Sequence, residues 1–384
     1  MRNRPKGCGL YVHVPFCRTR CIYCDFYSTT GIALVGAWIE ALRQEMLLYE
    51  ADFGRFDSLY IGGGTPTVLG DGMVARLMEA LHARFRFAPD CEVTIEANPD
   101  DVDQARLEAM KGLGINRVSF GVQSFDDRDL AFLGRRHTAG GARKALEAAI
   151  GAGFSNFGID LMYGLPAQTC ERWLTTLEGA LFFRPTHLSC YQLTVEGRTP
   201  LSHMIGRNEA SLPGEEEGRA FFLLTSRFLE DRGFVHYEVS NFAASRRFFC
   251  RHNGKYWSHV PYLGLGPAAH SFDGLQRWWN HRSLKRYVEA LARGRKPVAG
   301  SELLSEEQLE LERLSLGLRT RRGIRLPDLP ETALPLVHEL RKARLVRVRG
   351  NRLSLSRRGY LVADSLPVLL SRPSSPRTRA LSMP

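Results

Sequence analysis

Leu10-Tyr11-Val12-His13-Val14-Pro15-Phe16-Cys17-Arg18-Thr19-Arg20-Cys21-Ile22-Tyr23-Cys24 sets a short buried strand directly before three clustered cysteines with spacing C-x3-C-x2-C. Three thiolates on one short loop converge on a single metal centre, and thiolates are the usual ligands of iron in clusters. In a four-iron cubane, three local ligands leave one iron open to a substrate. Structural zinc wants four ligands, and Cys8 or His13 is at hand as the fourth. A redox dithiol formed by Cys21 and Cys24 is a further alternative, which leaves Cys17 unused. Covalent attachment of a c-type haem needs His after the second cysteine, and that position is Asp25.

Outward from this stretch, strand and helix patterns alternate. Residues 57–61 form a strand that runs into Gly62-Gly63-Gly64-Thr65-Pro66, and 92–96 a strand ending in Ala97-Asn98-Pro99. Strands over 117–122, 157–162 and 187–193 follow. Helical apolar spacing falls at 37–49, 73–85, 103–113, 142–152 and 171–183. Six strands alternating with helices imply parallel β/α units. Cys17, Gly63, Glu96, Gln123, Asp160 and Gln192 sit at or just past successive strand ends. In a barrel those ends converge on one mouth, where barrel active sites lie. The expected class is therefore α/β, a partial (β/α)6 barrel followed by a smaller C-terminal α+β module.

The expected divisions are 1–200 for the barrel, 201–300 for a barrel extension, 301–370 for the small module and 371–384 for a disordered tail. From residue 202 the rhythm changes. A long helix is expected over 215–231, then loops and short elements over the Gly-, His- and aromatic-rich stretch 242–281. Helices at 305–317 and 334–344 precede basic, alternating residues around Gly350-Asn351, a hairpin signal. A last helical segment at 357–370 completes a winged-helix-like pattern. Ser, Pro and Arg dominate the tail.

Hydrophobic residues make up 44% of the 384 and charged residues 24%, an ordinary globular mix that buries a sizeable core. No apolar run reaches the roughly eighteen residues that a spanning helix needs. No signal peptide is read at the N-terminus, so the expected location is the cytoplasm. Eight cysteines, three of them clustered, suit metal or redox chemistry there rather than a disulfide framework. The net charge of +11 is uneven: residues 319–358 hold twelve Lys/Arg against three acids. That excess is either a solvated Arg-rich surface or a face for an anionic membrane or nucleic acid.

Several motifs in order resemble one family over residues 10–370. They are Tyr11-Val12-His13-Val14-Pro15-Phe16-Cys17, Cys24-Asp25-Phe26, Gly62-Gly63-Gly64-Thr65-Pro66 and Glu96-Ala97-Asn98-Pro99. Arg117-Val118-Ser119-Phe120-Gly121-Val122-Gln123-Ser124-Phe125, Asp160-Leu161-Met162-Tyr163-Gly164-Leu165-Pro166 and Tyr191-Gln192-Leu193-Thr194 complete the set. The chain resembles the coproporphyrinogen-oxidase-like branch of the radical S-adenosylmethionine (SAM) superfamily. The resemblance implies a TIM-type partial barrel and a [4Fe–4S] cluster on Cys17, Cys21 and Cys24. It also implies that the open iron chelates the amino and carboxylate groups of SAM. Tyr11, Tyr23, Gly63, Gly64, Thr65, Glu96, Gln123, Arg135 and Asp160 are the implied SAM-binding residues. Their types suit the ligand: carboxylates for ribose hydroxyls or an ammonium, and Arg for a carboxylate.

That branch holds oxygen-independent coproporphyrinogen III oxidases, which decarboxylate two propionates, and haem chaperones. In the oxidases the third cluster cysteine is followed two places later by another, where this chain has Phe26. The oxidases also carry a longer arm before the cluster, which here begins at Cys17. His252-Asn253-Gly254-Lys255-Tyr256-Trp257 resembles the chaperones' His-Asn-x-x-Tyr-Trp haem motif. The expectation is a haem chaperone, with His252 toward haem iron and Cys250 as an alternative thiolate. Haem-accepting proteins, peripheral membrane association and a homodimer are the expected partners. His270 is expected to line the same cavity. Nucleic acid is not expected, because no RNA-binding motif accompanies the basic end.

Overall fold

The computed structural model describes residues 7–371; residues 1–6 and 372–384, which hold all of the expected tail beyond Ser371, lie outside the described residues. The described chain forms two compact units. The larger comprises residues 7–236, 240–256 and 260–304. It begins with β1 (Cys8–Val14), α1 (Val35–Tyr49), β2 (Arg55–Gly63), α2 (Asp71–Arg84), β3 (Arg86–Ala97) and α3 (Gln104–Gly112). Next come β4 (Arg117–Gln123), α4 (Asp127–Phe132), α5 (Ala139–Gly151), β5 (Phe157–Tyr163), α6 (Cys170–Leu181) and β6 (His187–Gln192). Helices α3, α5 and α6 start where Asp103, Thr138 and Thr169 accept a backbone N–H from the first turn, satisfying donors that no helix can satisfy internally.

β1 to β6 pair in sequence order, all parallel. Their side chains alternate with period two. Leu10, Val12, Leu59, Ile61, Val93, Ile95, Val118, Phe120, Ile159, Leu161 and Leu188 lie on the convex face and join the core. Tyr11, Tyr60, Glu96, Arg117, Ser119, Asp160 and Ser189 lie on the concave face and line a cavity. Barrels are ordinarily filled with layers of branched apolar side chains. This one keeps a polar interior, which is the local reason a ligand site forms inside it.

The next elements are α7 (Pro200–Gly206), α8 (Glu215–Asp231), β7 (Val235–His236), β8 (Asn241–Ala243) and α9 (Arg251–Trp257). Then follow β9 (Tyr262–Leu265), β10 (His270–Phe272), β11 (Gln276–Asn280), α10 (Leu284–Ala292) and β12 (Val298–Leu303). The stretch expected as loops and short elements in fact extends the sheet at both ends. β9 pairs with β1 in parallel, β10 to β12 continue antiparallel, and β8 and β7 follow β6. Strands of two to six residues are too short for an alternating pattern to stand out in the sequence. The ends of this twelve-stranded sheet, β12 and β7, are not paired to each other, so the barrel is partial.

The smaller unit comprises residues 305–371 of the described chain with Tyr237–Val239 and Trp257–His259. It contains α11 (Glu306–Leu318), β13 (Ile324–Arg325), α12 (Leu334–Lys342), β14 (Val346–Arg349), β15 (Arg352–Leu355), α13 (Arg357–Tyr360) and α14 (Leu366–Ser371). The antiparallel sheet runs β13-β15-β14, with the expected hairpin turning at Gly350-Asn351. Leu318, Leu340, Leu353 and Leu370 centre its own core.

Within the larger unit, Glu45 of α1 joins the extension to the barrel. It is fully buried and accepts from Tyr287 Oη–H (2.6 Å), Gly266 N–H (2.8 Å) and Asn280 Nδ2–H (2.6 Å). Burial nevertheless pushes its carboxyl up to about 7. A folded-state pKa above the unfolded value means that folding favours the protonated form. The contribution is therefore full below the unfolded value and is lost as pH rises through about 7. Glu45→Gln sets two fixed N–H donors among three donors where the protonated carboxyl carries one O–H, at a cost of about 1–3 kcal/mol. We expect the stability gap between wild type and E45Q, measured by urea melts from pH 5 to pH 8, to shrink as pH rises; a gap that widens with pH would contradict this.

Candidate cluster and cofactor site

The cysteine loop is held at its neck by backbone. Cys17 N–H donates to Thr29 O (3.0 Å) and Thr29 N–H to Pro15 O (2.7 Å). On the other side Gly64 N–H donates to Val14 O (2.8 Å) and Thr65 N–H to Phe16 O (2.7 Å). Phe16 is buried edge-on against Trp38, with centroids 5.7 Å apart. These contacts explain the glycines after β2. A Cβ on Gly64 would lie 2.6 Å from Phe16 O, and one on Gly63 would lie 2.5 Å from the His13 ring. Gly63 also has φ of +110°, which side chains disfavour. A Cβ on Gly62 would meet the Glu96 carboxylate at 2.9 Å. The turn presses against β1 and against Glu96 at once.

Cys17, Cys21 and Cys24 all line one cavity of about 1230 Å³. Thr65 Oγ1–H donates to Cys17 Sγ (3.5 Å) and Arg135 Nη1–H to Cys21 Sγ (3.4 Å). Burial pushes the Cys17 and Cys24 thiols up, so metal binding there releases protons. Soft thiolates with N–H and O–H donors at sulfur fit an iron–sulfur cluster. The zinc alternative lacks its fourth ligand. Cys8 is buried in the core, and both His13 nitrogens are engaged. His13 Nδ1 accepts from Tyr11 Oη–H (3.1 Å) while Nε2–H donates to Tyr27 O (2.8 Å). Among the described residues, no three His, Cys, Asp or Glu side chains gather closely enough for a single ion.

Across the cavity stand the other residues singled out from the sequence. Glu96 accepts from Tyr60 Oη–H (2.9 Å) and Gly63 N–H (3.1 Å). Burial, with the nearby Asp160 carboxylate adding to it, pushes Glu96 up to about 7. Burial also raises Asp160, opposed by Ser189, Arg117 and Ser119, whose Oγ–H donates at 3.2 Å. Gln123 ends β4 at a register shift, with φ of +72°. Arg135 Nη2–H donates to Gly121 O (2.6 Å) and Asn98 Oδ1 (3.2 Å). Its Nε is buried without a hydrogen-bond partner, an orphan donor on the cavity side of the fold. Burial holds the Tyr23 hydroxyl protonated beside Arg135. Tyr11 stacks on Tyr60 at 6.3 Å.

Tyr11, Tyr23, Gly63, Gly64, Thr65, Glu96, Gln123, Arg135 and Asp160 thus line the same cavity as the three cysteines; His252 does not. Its helix α9 starts on Glu92, whose Oε1 accepts from the N–H groups of Arg251 (2.8 Å) and His252 (3.2 Å). The His252 ring is 1% exposed. Nδ1 hydrogen-bonds Ser58 Oγ (3.1 Å) and Nε2 hydrogen-bonds Tyr256 Oη (2.9 Å). Burial pushes it down to about 3, so it is neutral. Gly9 makes room for it, since a Cβ there would lie 3.0 Å from the ring. Cys250 is also buried, its thiol pushed up to about 12. As folded, neither residue faces the cavity, although Asn253 and Tyr256 do.

The sequence reading passed over Tyr60, Arg117, Ser119, His187 and Ser189, which also line the cavity. A signal was present: each lies at an alternate position of a strand whose other positions are apolar. His270, expected to share a cavity with His252, instead lines the cavity of the three cysteines, and it is exposed.

Replacing Cys17, Cys21 or Cys24 by Ser is expected to remove most of the iron retained after anaerobic reconstitution. Cys91→Ser and Cys170→Ser, outside the cavity, should retain wild-type iron per chain. Equal losses in both groups would move the cluster elsewhere.

A profile described as the radical SAM superfamily matches residues 11–179. The heme chaperone HemW of Mycobacterium tuberculosis (strain ATCC 25618 / H37Rv) is 37% identical over 364 residues, covering 93% of this chain and 93% of its own. The heme chaperone HemW of Bacillus subtilis (strain 168) is 36% identical over 319 residues, covering 82% of this chain and 84% of its own. The solved structure of coproporphyrinogen III oxidase (HemN) from Escherichia coli superposes with a TM-score of 0.81 at 24% identity, covering 95% of this chain and 90% of that one. The last likeness is one of fold. On the chain-long identity to its curated relatives, this protein belongs to the radical SAM superfamily, in the family of the HemW proteins.

Proposed function

We propose that this chain is a haem chaperone that carries a [4Fe–4S] cluster and SAM and passes haem to haem-accepting proteins. The observation that carries the reading is the cavity mouth. Phe26 stands there 69% exposed, where the oxidases of this branch have a further cysteine. An exposed apolar side chain at the rim of a large cavity suits an apolar ligand entering from outside. The cavity, about 1230 Å³, also exceeds the roughly 300–1,000 Å³ of an ordinary single-ligand pocket, which suits two ligands.

Cys17, Cys21 and Cys24 hold the cluster in this reading, with Thr65 and Arg135 donating to sulfur. When bound, cluster and SAM supply one-electron chemistry. Arg135 would hold the SAM carboxylate through its unpartnered Nε–H and its positive charge. Glu96 and Asp160 accept from its ammonium or ribose hydroxyls. Tyr23 and the half-buried, stacked Tyr11–Tyr60 pair supply ring surface to the inner wall. A titration of anaerobically reconstituted protein with haem, followed by visible spectra, is expected to saturate. The same protein given coproporphyrinogen III, SAM and reductant is expected to release no carbon dioxide. Carbon dioxide release without haem binding would make it a decarboxylase instead.

The Glu96 carboxylate is the form that accepts from SAM, and it is populated only as pH rises through about 7. SAM affinity is therefore expected to strengthen by about tenfold per unit up to that pH and then level off. Glu96→Gln should bind more weakly and lose that slope in equilibrium dialysis at pH 5.5–8.5; a wild-type slope retained in E96Q would assign the titration to another group.

A further inference from the structure

Haem offers iron, which takes an axial nitrogen, a flat apolar ring and two carboxylates. Three imidazoles line the cavity: those of His13, His187 and His270. His13 has both nitrogens engaged and His187 is 1% exposed. His252 is buried, bonded at both nitrogens and outside the cavity lining. His270 differs from all of these. It is exposed at the start of β10, and no described side chain or backbone group hydrogen-bonds its ring. We propose that His270 is the imidazole that takes haem iron, on a wall built by β10, β11 and β12; this inference rests on the haem-chaperone reading.

The wall suits a flat ring. In register, His270 faces Trp279, which faces Gly300. The imidazole stacks on the Trp279 indole at 6.0 Å and 28°. A Cβ on Gly300 would lie 2.6 Å from that indole, so the glycine is what allows it to lie along β12. Phe26 supplies a further apolar edge of the same cavity. Arg20, exposed and lining it, supplies a cation for a propionate, and Arg282, which also pairs with Asp25 at 3.3 Å, stands on the same lining. Partial desolvation by the cavity wall and the Arg277 charge push His270 down, so it offers a neutral lone pair at pH 7.

His252 keeps a different role here. Its ring lies 5.4 Å from Tyr60 and 6.3 Å from Tyr11, and Tyr60 donates to Glu96. It is a positioning residue beneath the SAM wall.

Haem titrations of wild type, His270→Ala, His270→Cys and His252→Ala, with visible spectra, iron content and melting temperature for each, test the assignment. H270A should weaken haem on the order of tenfold or more, and H270C should shift the Soret band as thiolate replaces imidazole. H252A should keep the wild-type band position in protein that retains its cluster. Wild-type affinity and band in both His270 variants would overturn the inference while leaving the chaperone reading intact. So would loss of the imidazole band in cluster-loaded H252A alone. Absence of haem binding by wild type would overturn both.

Discussion

Charged and hydroxyl side chains on the concave face of the parallel strands are buried or half-buried and must find partners there, and much of this protein follows from that constraint. Buried polar groups cost free energy unless hydrogen-bonded. Glu96 meets the requirement with Tyr60 and Gly63, and Asp160 with Ser119. These bonds run between neighbouring strands, so each group is held by the sheet rather than by a loop. The result is a preformed wall on which burial pushes the Glu96 carboxyl up to about 7 and also raises Asp160. A small change in ligand or pH then changes the charge of Glu96.

The glycine turn connects that wall to the cluster loop. Gly62 lies on Glu96, Gly63 on His13 and Gly64 on the backbone before Cys17. A side chain at any of the three would separate two sites that have to stay close. Arg135 makes a second connection, since it reaches Cys21, Gly121 and Asn98 from one guanidinium. Its planar fork suits several acceptors at once, which an ammonium on a flexible stem does not. The outer elements support this arrangement. Glu45 fixes the extension carrying β9 to β12 against α1, which sets the far wall of the cavity.

The motif around His252 shows how a short sequence pattern serves two levels of structure. Glu92, Ser58 and Gly9 receive α9. Tyr256 and Asn253 turn to the cavity while His252 turns away from it. Residues three positions apart on a helix share a face while adjacent ones diverge, so Asn253 and Tyr256 reach the cavity together and neighbouring His252 does not.

The sequence by itself determined the alternating strands and helices, the three-cysteine loop after β1, the glycine turn and the smaller module with its hairpin. Those signals are local: periodicity, spacing and turn chemistry act over a few residues. It also showed which residue types gather at strand ends, because parallel connectivity sends all those ends to one mouth. Only the tertiary structure decided where the weak, short strands β7 to β12 pair, because partners supplied by β1 and β6 override composition there. It alone decided that His252 is enclosed while His270 is open, since exposure depends on what packs from distant positions. Ser58, Glu92 and Tyr256 close over one imidazole. Nothing closes over the ring nitrogens of the other among the described residues, and no pattern along the chain distinguishes the two.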